Sequence, residues 1–176
     1  MKKKLSVRDL CQGALFCALT AVCSQLVINV DVVPISMNLL AVYLCGALLA
    51  PKVAVLSQAA YLLLGIVGVP VFSNFGSGPA KVFGPTGGYL ITYPIMALLV
   101  ALAVRRWGAR WWALAASMAT ALLLCYAVGT LWLCWQAHLG LAAGLAKGVL
   151  QFIPFDIAKI VFCTLLAMLL HRRLKR

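Results

Sequence analysis

Residues 111–135 read WWALAASMATALLLCYAVGTLWLCW, an apolar run that contains no charged residue. A helix of about 20 apolar residues is long enough to cross the hydrocarbon core of a bilayer. A strand that crosses a membrane in a barrel would instead alternate apolar and polar residues, and this run does not. The run therefore predicts a membrane-spanning α-helix.

The rest of the chain has the same character. The protein has 176 residues, of which 65% are hydrophobic and 10% are charged. Soluble domains carry about 25% charged residues, which they need to cover their surface. Helices satisfy their own backbone groups in lipid, so the composition predicts an all-α integral membrane protein. We expect a single membrane domain over residues 1–176.

Five further apolar segments can be drawn around the opening run. They cover residues 11–28, 36–50, 53–67, 85–104 and 148–170. Several are shorter than the roughly 20 residues that cross a bilayer without tilt, so we expect a compact bundle of six transmembrane helices of uneven length. Residues 136–147 are rich in small residues and are expected to form a short helix on the outer surface.

The basic residues indicate an orientation in the membrane. Lys and Arg total 15 against three Asp, which gives a net charge of +12. If the N-terminus is inside, 12 of the 15 lie on the inner side, Lys81 and Lys147 lie outside, and Lys159 lies within the sixth segment. This bias predicts that both termini are cytoplasmic. The charge forms no basic stripe interleaved with exposed aromatics, which argues against nucleic-acid binding.

The motifs of common enzymes and metal sites are absent from the sequence. The seven cysteines form no C-x-x-C pair and nearly all fall in apolar runs, so we expect small hydrophobic packing residues without a disulfide framework or a metal site. The chain has no Walker A motif, no H-E-x-x-H, no G-x-S-x-G and no plausible acid pair. We therefore expect no catalytic residues and no cofactor.

Two ionisable residues interrupt the sixth apolar segment. Asp156 and Lys159 stand three residues apart in QFIPFDIAKIVF, so they share one face of a helix. Charged groups within a membrane segment are costly and usually mark a functional site. The alternative is an internal ion pair that only fixes helix packing. Pro154 precedes the pair and can loosen the helix there.

The glycine-rich segment around residues 69–84 is predicted to be an external ligand-binding loop. Its continuation through residue 90 reads FSNFGSGPAKVFGPTGGYL from residue 72. Glycines permit close approach of the backbone to a ligand. Asn74 offers hydrogen-bond donors and an acceptor, and Lys81 offers a charge suited to a carboxylate. Apolar walls could be formed by Phe72, Phe75 and Tyr89. The alternative is a plain structural loop.

The segment VPISMN, residues 33–38, leads into the second helix from the outer side. Pro34 suits the approach to a helix start, and Ser36 and Asn38 are candidate ligand-binding residues. For Ser36 the alternative is a cap at the start of the helix. Asn38 requires a polar partner if its amide faces the bundle.

The first helix carries Ala14 and Ala18 four residues apart. Small residues at this spacing let another helix approach closely. Packing within the bundle accounts for the pair equally well.

Four motifs together resemble the BioY family, the biotin-binding S components of energy-coupling factor transporters. They are FGPTGGYL at residues 83–90, VPISMN, GALLAPK at residues 46–52 and PFDIAK at residues 154–159. The resemblance implies a six-helix protein of the plasma membrane with a biotin site near the outer face. It also implies a transmembrane coupling protein and two ABC-type ATPases as partners. Ala14 and Ala18 match the family's A-x-x-x-A contact with the coupling protein.

The resemblance also implies roles in binding biotin. Asp156 would accept a hydrogen bond from a ureido N–H, and Lys159 or Asn74 would donate to the ureido carbonyl. The ring system and the valerate chain would lie against the aromatic residues of the loop, and Lys81 would meet the carboxylate. Family members often carry Thr and Gln where this chain has Ser36 and Asn38, which keep the hydroxyl and the amide on shorter side chains.

The sequence is also consistent with three other functions. The chain could be an S component for another vitamin, a small intramembrane enzyme, or a structural membrane subunit that binds no small molecule.

Overall fold

The structure is a computed structural model that describes residues 6–28, 35–138 and 140–174. Predictions that involve Pro34 or the lysines at positions 2–4 lie outside these residues. The described elements are α1 (Val7–Gln25), β1 (Val27–Ile28), β2 (Ile35–Ser36), α2 (Asn38–Leu48), α3 (Pro51–Val67), α4 (Pro79–Val82), α5 (Gly87–Ile91), α6 (Tyr93–Trp107), α7 (Trp111–Ala137), α8 (Leu141–Leu145) and α9 (Ile153–Leu174).

The described part of the chain is almost entirely helical, as predicted. Its two strands have two residues each and pair antiparallel, with Val27 opposite Ser36. They join the end of α1 to the start of α2. Short 3₁₀ and π-helical turns add Ser73–Phe75 and Ala146–Leu150.

Among the described residues, four helical stretches are long and apolar enough to cross a membrane. They are Val7–Gln25, Gly87–Trp107, Trp111–Ala137 and Ala142–Arg173. The shorter apolar helices α2 and α3 account for the other two predicted segments. The run at residues 111–135 lies entirely within α7, and the apolar helices differ in length, with 11 residues in α2 and 27 in α7.

Several element boundaries differ from the sequence prediction. The fourth segment consists of two consecutive helices, α5 and α6, which meet at Thr92 without a change from helical backbone angles. The Thr92 hydroxyl donates to the Tyr89 carbonyl at 2.6 Å. Ser36 does not cap α2, because it is held in β2 and Met37 occupies the N-cap without a side-chain hydrogen bond. Pro154 is the second residue of α9. A proline in the first turn of a helix removes no intrahelical hydrogen bond, so it does not loosen the helix.

The region 136–147 divides between three elements. Helix α7 continues to Ala137, and His138 ends it with a left-handed φ of 52°. Helix α8 follows, and the π-helical turn then leads toward α9. The predicted short helix is therefore present as α8, which packs against α7.

Side-chain contacts define the directions of the helices. Near the start of α2, Lys159 of α9 contacts Ser36; near its end, the ring of His171 lies 2.8 Å from the Ala47 carbonyl. Helices α2 and α9 therefore run parallel. The α2–α3 junction and the end of α9 lie at one end of the bundle, whereas the start of α2 and the ion pair lie toward the other.

Four of the seven cysteines lie in the helical core. Cys17, Cys45, Cys125 and Cys163 are buried there, beside large side chains such as Tyr43, Tyr61 and Met96. Cys23 and Cys134 are partly buried, Cys11 is exposed, and all seven thiols are unbridged. Their packing is that of small hydrophobic residues.

Candidate functional site

An ion pair lies inside the bundle at the start of α9. The Lys159 Nζ atom lies 2.7 Å from Asp156 Oδ1, and the two residues are 5% and 3% exposed. Their spacing places both on one helix face, as predicted. Burying either charge alone would be costly, so each stabilises the other in this position.

Two further groups form hydrogen bonds with this ion pair. The Tyr126 hydroxyl of α7 donates to Asp156 Oδ2 at 2.7 Å. Lys159 also donates to the backbone carbonyl of Ser36 at 2.9 Å. The pair thus joins α9 to α7 and to the start of α2. We define Tyr126, Asp156 and Lys159 as the polar triad.

Asn38 finds its polar partner in the first turn of α6. Its Nδ2 atom donates to the Tyr93 hydroxyl at 3.1 Å, and both residues are buried. Within the described residues, Asn38 Oδ1 and the Tyr43 hydroxyl have no hydrogen-bond partner. Buried polar atoms of this kind usually bind water or a ligand, so these two mark a polar region beside the site.

Two small cavities lie at this end of the bundle. The inner cavity, of about 60 Å³, is lined by Asp156, Lys159 and Tyr126 together with Ser36, Leu39, Tyr89, Tyr93, Cys125, Gly148 and Phe152. The loop cavity, of about 50 Å³, is lined by Ser36, Phe72, Ser73, Lys81, Thr86, Tyr89, Leu90 and Tyr93. Because Ser36, Tyr89 and Tyr93 line both, the cavities meet at these three side chains.

The loop residues that were predicted from the sequence to bind a ligand have different environments. Phe72 is fully buried and packs edge-on against Tyr61, with ring centroids 5.6 Å apart. Phe75 is 72% exposed and lines neither cavity. Asn74 is also exposed and has a left-handed φ of 59°, which asparagine tolerates better than most residues. Lys81 lines the loop cavity.

The base of the loop is tied to the end of α1 by Gln25. Its Nε2 atom donates to the Phe72 carbonyl at 3.2 Å, and its Oε1 accepts from the Phe75 N–H at 2.9 Å. The neighbouring Ser24 hydroxyl donates to the Val71 carbonyl. These contacts fix the start of the loop to the helix that carries Ala14 and Ala18.

Ala14 and Ala18 lie on α1 beside its buried face, which is formed by Gly13, Cys17, Thr20 and Ser24. Both are exposed and line a largely apolar groove of about 790 Å³ between α1 and α3. The groove is separate from the ion pair and from both small cavities. Its open, small-residue surface is suited to a helix of another protein.

Sequence reasoning missed several residues of the site. Tyr126, Tyr93 and Tyr43 lie in apolar segments, where a tyrosine hydroxyl needs a hydrogen-bond partner when buried. That need is a usable signal, but it does not indicate which partner is met. Gln25 likewise stands at the end of an apolar run, and only the fold shows that it faces the loop.

The fold and the site together define the class of the protein. It is a helical membrane protein with a buried polar site at one end of the bundle and a glycine-rich loop that lines an adjoining cavity.

Comparison with known proteins identifies the family. The sequence profile described as the BioY family matches residues 1–176. The chain is 36% identical over 163 residues to the probable biotin transporter BioY of Pyrococcus horikoshii, covering 93% of this chain and 96% of that protein. It is 32% identical over 166 residues to the biotin transporter BioY of Thermotoga maritima, covering 94% and 97%. The chain therefore belongs to the BioY family.

A solved structure has the same fold. The crystal structure of the S-component for biotin from an ECF-type ABC transporter superimposes with a TM-score of 0.88 at 26% sequence identity. The match covers 98% of this chain and 95% of that chain. The similarity thus extends over the whole bundle and includes the loop and the start of α9.

Proposed function

We propose that this protein is the biotin-binding S component of an energy-coupling factor transporter. The observation that carries the proposal is the buried polar triad at one end of a bundle that belongs to the BioY family. It captures biotin at the outer face of the cell membrane and delivers it inward with partner proteins. Its work is transport, and biotin is the transported ligand rather than a cofactor.

The polar triad suits the ureido ring of biotin, which has two N–H donors and one carbonyl acceptor. A carboxylate has about four lone-pair positions, so Asp156 can accept a ureido N–H beside its two present partners. The Lys159 ammonium has three donors and spends two on Asp156 and Ser36, which leaves one for the ureido carbonyl. Lys159 is a stronger candidate for this contact than Asn74, because Asn74 lines neither cavity.

The loop cavity suits the other end of the ligand. Lys81 lines it and can meet the carboxylate, while the Tyr89 ring and one edge of Phe72 supply apolar walls for the valerate chain. Ser36 lies where the two cavities meet. Asn38 orients Tyr93 by donating a hydrogen bond to its hydroxyl. Phe75 and Asn74 would contribute through the external loop, about residues 69–84, when it closes over bound biotin.

Six membrane crossings with both termini inside account for the helices. Trp112 and Trp132 stand 20 residues apart on α7, or about 30 Å along the axis, which matches the thickness of the hydrocarbon core. Tryptophans favour the two membrane interfaces. Helix α2 is short but mostly buried within the bundle, so few of its residues need to face lipid. The basic residues at the α2–α3 and α6–α7 junctions support a cytoplasmic position for these turns.

The partners follow from the family. The groove lined by Ala14 and Ala18 is the proposed contact for a transmembrane coupling protein, which two ABC-type ATPases would drive. Substitution of either alanine by a large residue would block the close approach of a helix.

Biotin binding to the purified protein in detergent, measured by calorimetry, tests the proposal. We expect tight binding by the wild type. Asp156→Asn should weaken it by roughly tenfold to over a hundredfold, since a hydrogen bond to a charged group contributes about 1.5–3 kcal/mol. Asp9→Asn is the matched control, because Asp9 caps α1 away from both cavities. Failure of the folded wild type to bind biotin would refute the proposal, and competition by riboflavin or thiamine would point to another vitamin.

A further inference from the structure

We propose that Tyr89 is a gate within the binding site, closed in this structure, which must open to join the two cavities before biotin can bind. The inference rests on the proposed function, because it takes biotin as the ligand that spans both cavities. It adds a moving part at Tyr89 of α5, whose hydroxyl contacts α7 and the turn that leads into α9.

The sizes of the cavities require such a step. Small-molecule pockets usually have volumes of roughly 300–1,000 Å³. The inner and loop cavities have about 60 and 50 Å³. Asp156 lines only the inner cavity and Lys81 only the loop cavity, so a ligand that meets both residues must occupy the boundary between them.

Three residues form that boundary, and two of them are fixed. Tyr93 is 4% exposed, accepts a hydrogen bond from Asn38, and stacks on Tyr61 with ring centroids 6.3 Å apart. Ser36 is held by its backbone, which pairs with Val27 and accepts from Lys159. The boundary can therefore open most readily at Tyr89, which is only partly buried.

The hydroxyl of Tyr89 is held by two groups on neighbouring elements. It donates to the Gly148 carbonyl at 3.1 Å and lies 3.3 Å from the Thr130 hydroxyl. Gly148 belongs to the π-helical turn Ala146–Leu150, and such turns are frequent at functional sites. Breaking these contacts releases both the tyrosine and the turn that leads into α9.

Glycines permit the closed arrangement. A Cβ atom on Gly129 would lie 2.3 Å from the Tyr89 ring, and one on Gly148 would lie 2.4 Å from its hydroxyl oxygen. On the same segment, a Cβ atom on Gly144 would lie 2.1 Å from the Cys134 sulfur. The stretch of residues 144–148 therefore packs against α7 and Tyr89 through glycines, which have no side chain. Because no side chains interlock at these two points, this stretch can shift without repacking them.

The gate predicts how binding rates depend on concentration. If opening precedes binding, the observed rate in stopped-flow tryptophan fluorescence should level off at high biotin concentration, at the opening rate. Tyr89→Phe keeps the ring and removes both hydroxyl contacts, so the limiting rate should rise roughly twofold to tenfold. Thr130→Val should have a smaller effect in the same direction. Thr120→Val on α7 is the matched control and should leave the rate unchanged, because its hydroxyl bonds only within α7.

A second measurement follows the opening of the gate in the absence of biotin. Cys125 lines the inner cavity and is 2% exposed, so a small water-soluble thiol reagent reaches it only when the site opens. With the other six cysteines replaced by alanine, Tyr89→Phe should accelerate its modification by the same twofold to tenfold. A binding rate that stays linear with concentration, or modification of Cys125 that Tyr89→Phe leaves unchanged, would overturn the gate. Absence of biotin binding together with accelerated modification would retain the gate and reject biotin as its ligand.

Discussion

The Lys159 ammonium donates to the backbone carbonyl of Ser36, a residue 123 positions earlier in the chain. The same ammonium lies 2.7 Å from the Asp156 carboxylate. One buried cation therefore neutralises an acid on its own helix and holds the β2–α2 turn against α9. The proposed binding site and the packing of two parallel helices depend on the same atom.

Removal of this cation should destabilise the protein and abolish binding. Lys159→Met leaves Asp156 buried without its counter-charge, which costs about 3–5 kcal/mol when one member of a buried pair is lost. Thermal unfolding in detergent would report the loss. The double variant Lys159→Met/Asp156→Asn should recover much of the stability but none of the biotin binding. A double variant as unstable as the single one would show that packing, rather than charge, sets the cost.

Removal of the Tyr126 hydroxyl should separate stability from affinity. Tyr126→Phe takes a donor from Asp156 Oδ2, so the ligand-free protein should lose about 1.5–3 kcal/mol. Biotin should bind as tightly as to the wild type or up to about tenfold more tightly, because its N–H then meets an unpaired acceptor. Calorimetry and thermal unfolding of the same preparation would test both. Binding weakened tenfold would mean that Tyr126 contacts the ligand itself.

Lys81 should distinguish the carboxylate of biotin from a neutral amide. Lys81→Gln removes the charge from the loop cavity and should weaken biotin binding about tenfold, within the range for a hydrogen bond to a charged group. The affinity for biotin amide should change little, so the measured preference for biotin should fall. Lys52→Gln, at the start of α3, is the control. Equal losses for both ligands would contradict a contact between Lys81 and the carboxylate.

The packing of Phe72 under the loop should tolerate no added methyl group. A Cβ atom on Gly65 would lie 2.0 Å from the Phe72 ring, which is fully buried. Gly65→Ala should cost about 1–3 kcal/mol of stability by overpacking. Gly140→Ala, where a Cβ atom meets nothing within 4 Å, should be close to neutral. The midpoints of thermal unfolding of both variants provide the test.

The proposed orientation predicts opposite labelling of two junctions. In a background without the native cysteines, Ser77→Cys should react with a membrane-impermeant thiol reagent from outside intact cells. Arg110→Cys, at the α6–α7 junction, should react only after the cells are opened. Both positions are exposed, so access rather than burial decides the result. Labelling of both from outside would refute the orientation.

Much of the fold could be predicted because membrane helices have a strong local signal. The run at residues 111–135 is apolar throughout, and its helix needs no partner to satisfy its backbone. The interruption between α5 and α6 at Thr92 has a local signal in Pro94, which lies in the first turn of α6 and has no N–H to donate to the preceding turn. The alternative role of Ser36 as the cap of α2 is wrong, since pairing with Val27 places it in a strand.

The sequence by itself determined the membrane character, the helical segments and the pairing of Asp156 with Lys159. These follow from hydrophobicity and from helix periodicity, which act over a few residues. Only the tertiary structure decided that Tyr126 meets the pair, that Gln25 holds the loop, and that Tyr89 stands between the two cavities. Those contacts join residues far apart in the chain, and the packing of whole helices sets their distances.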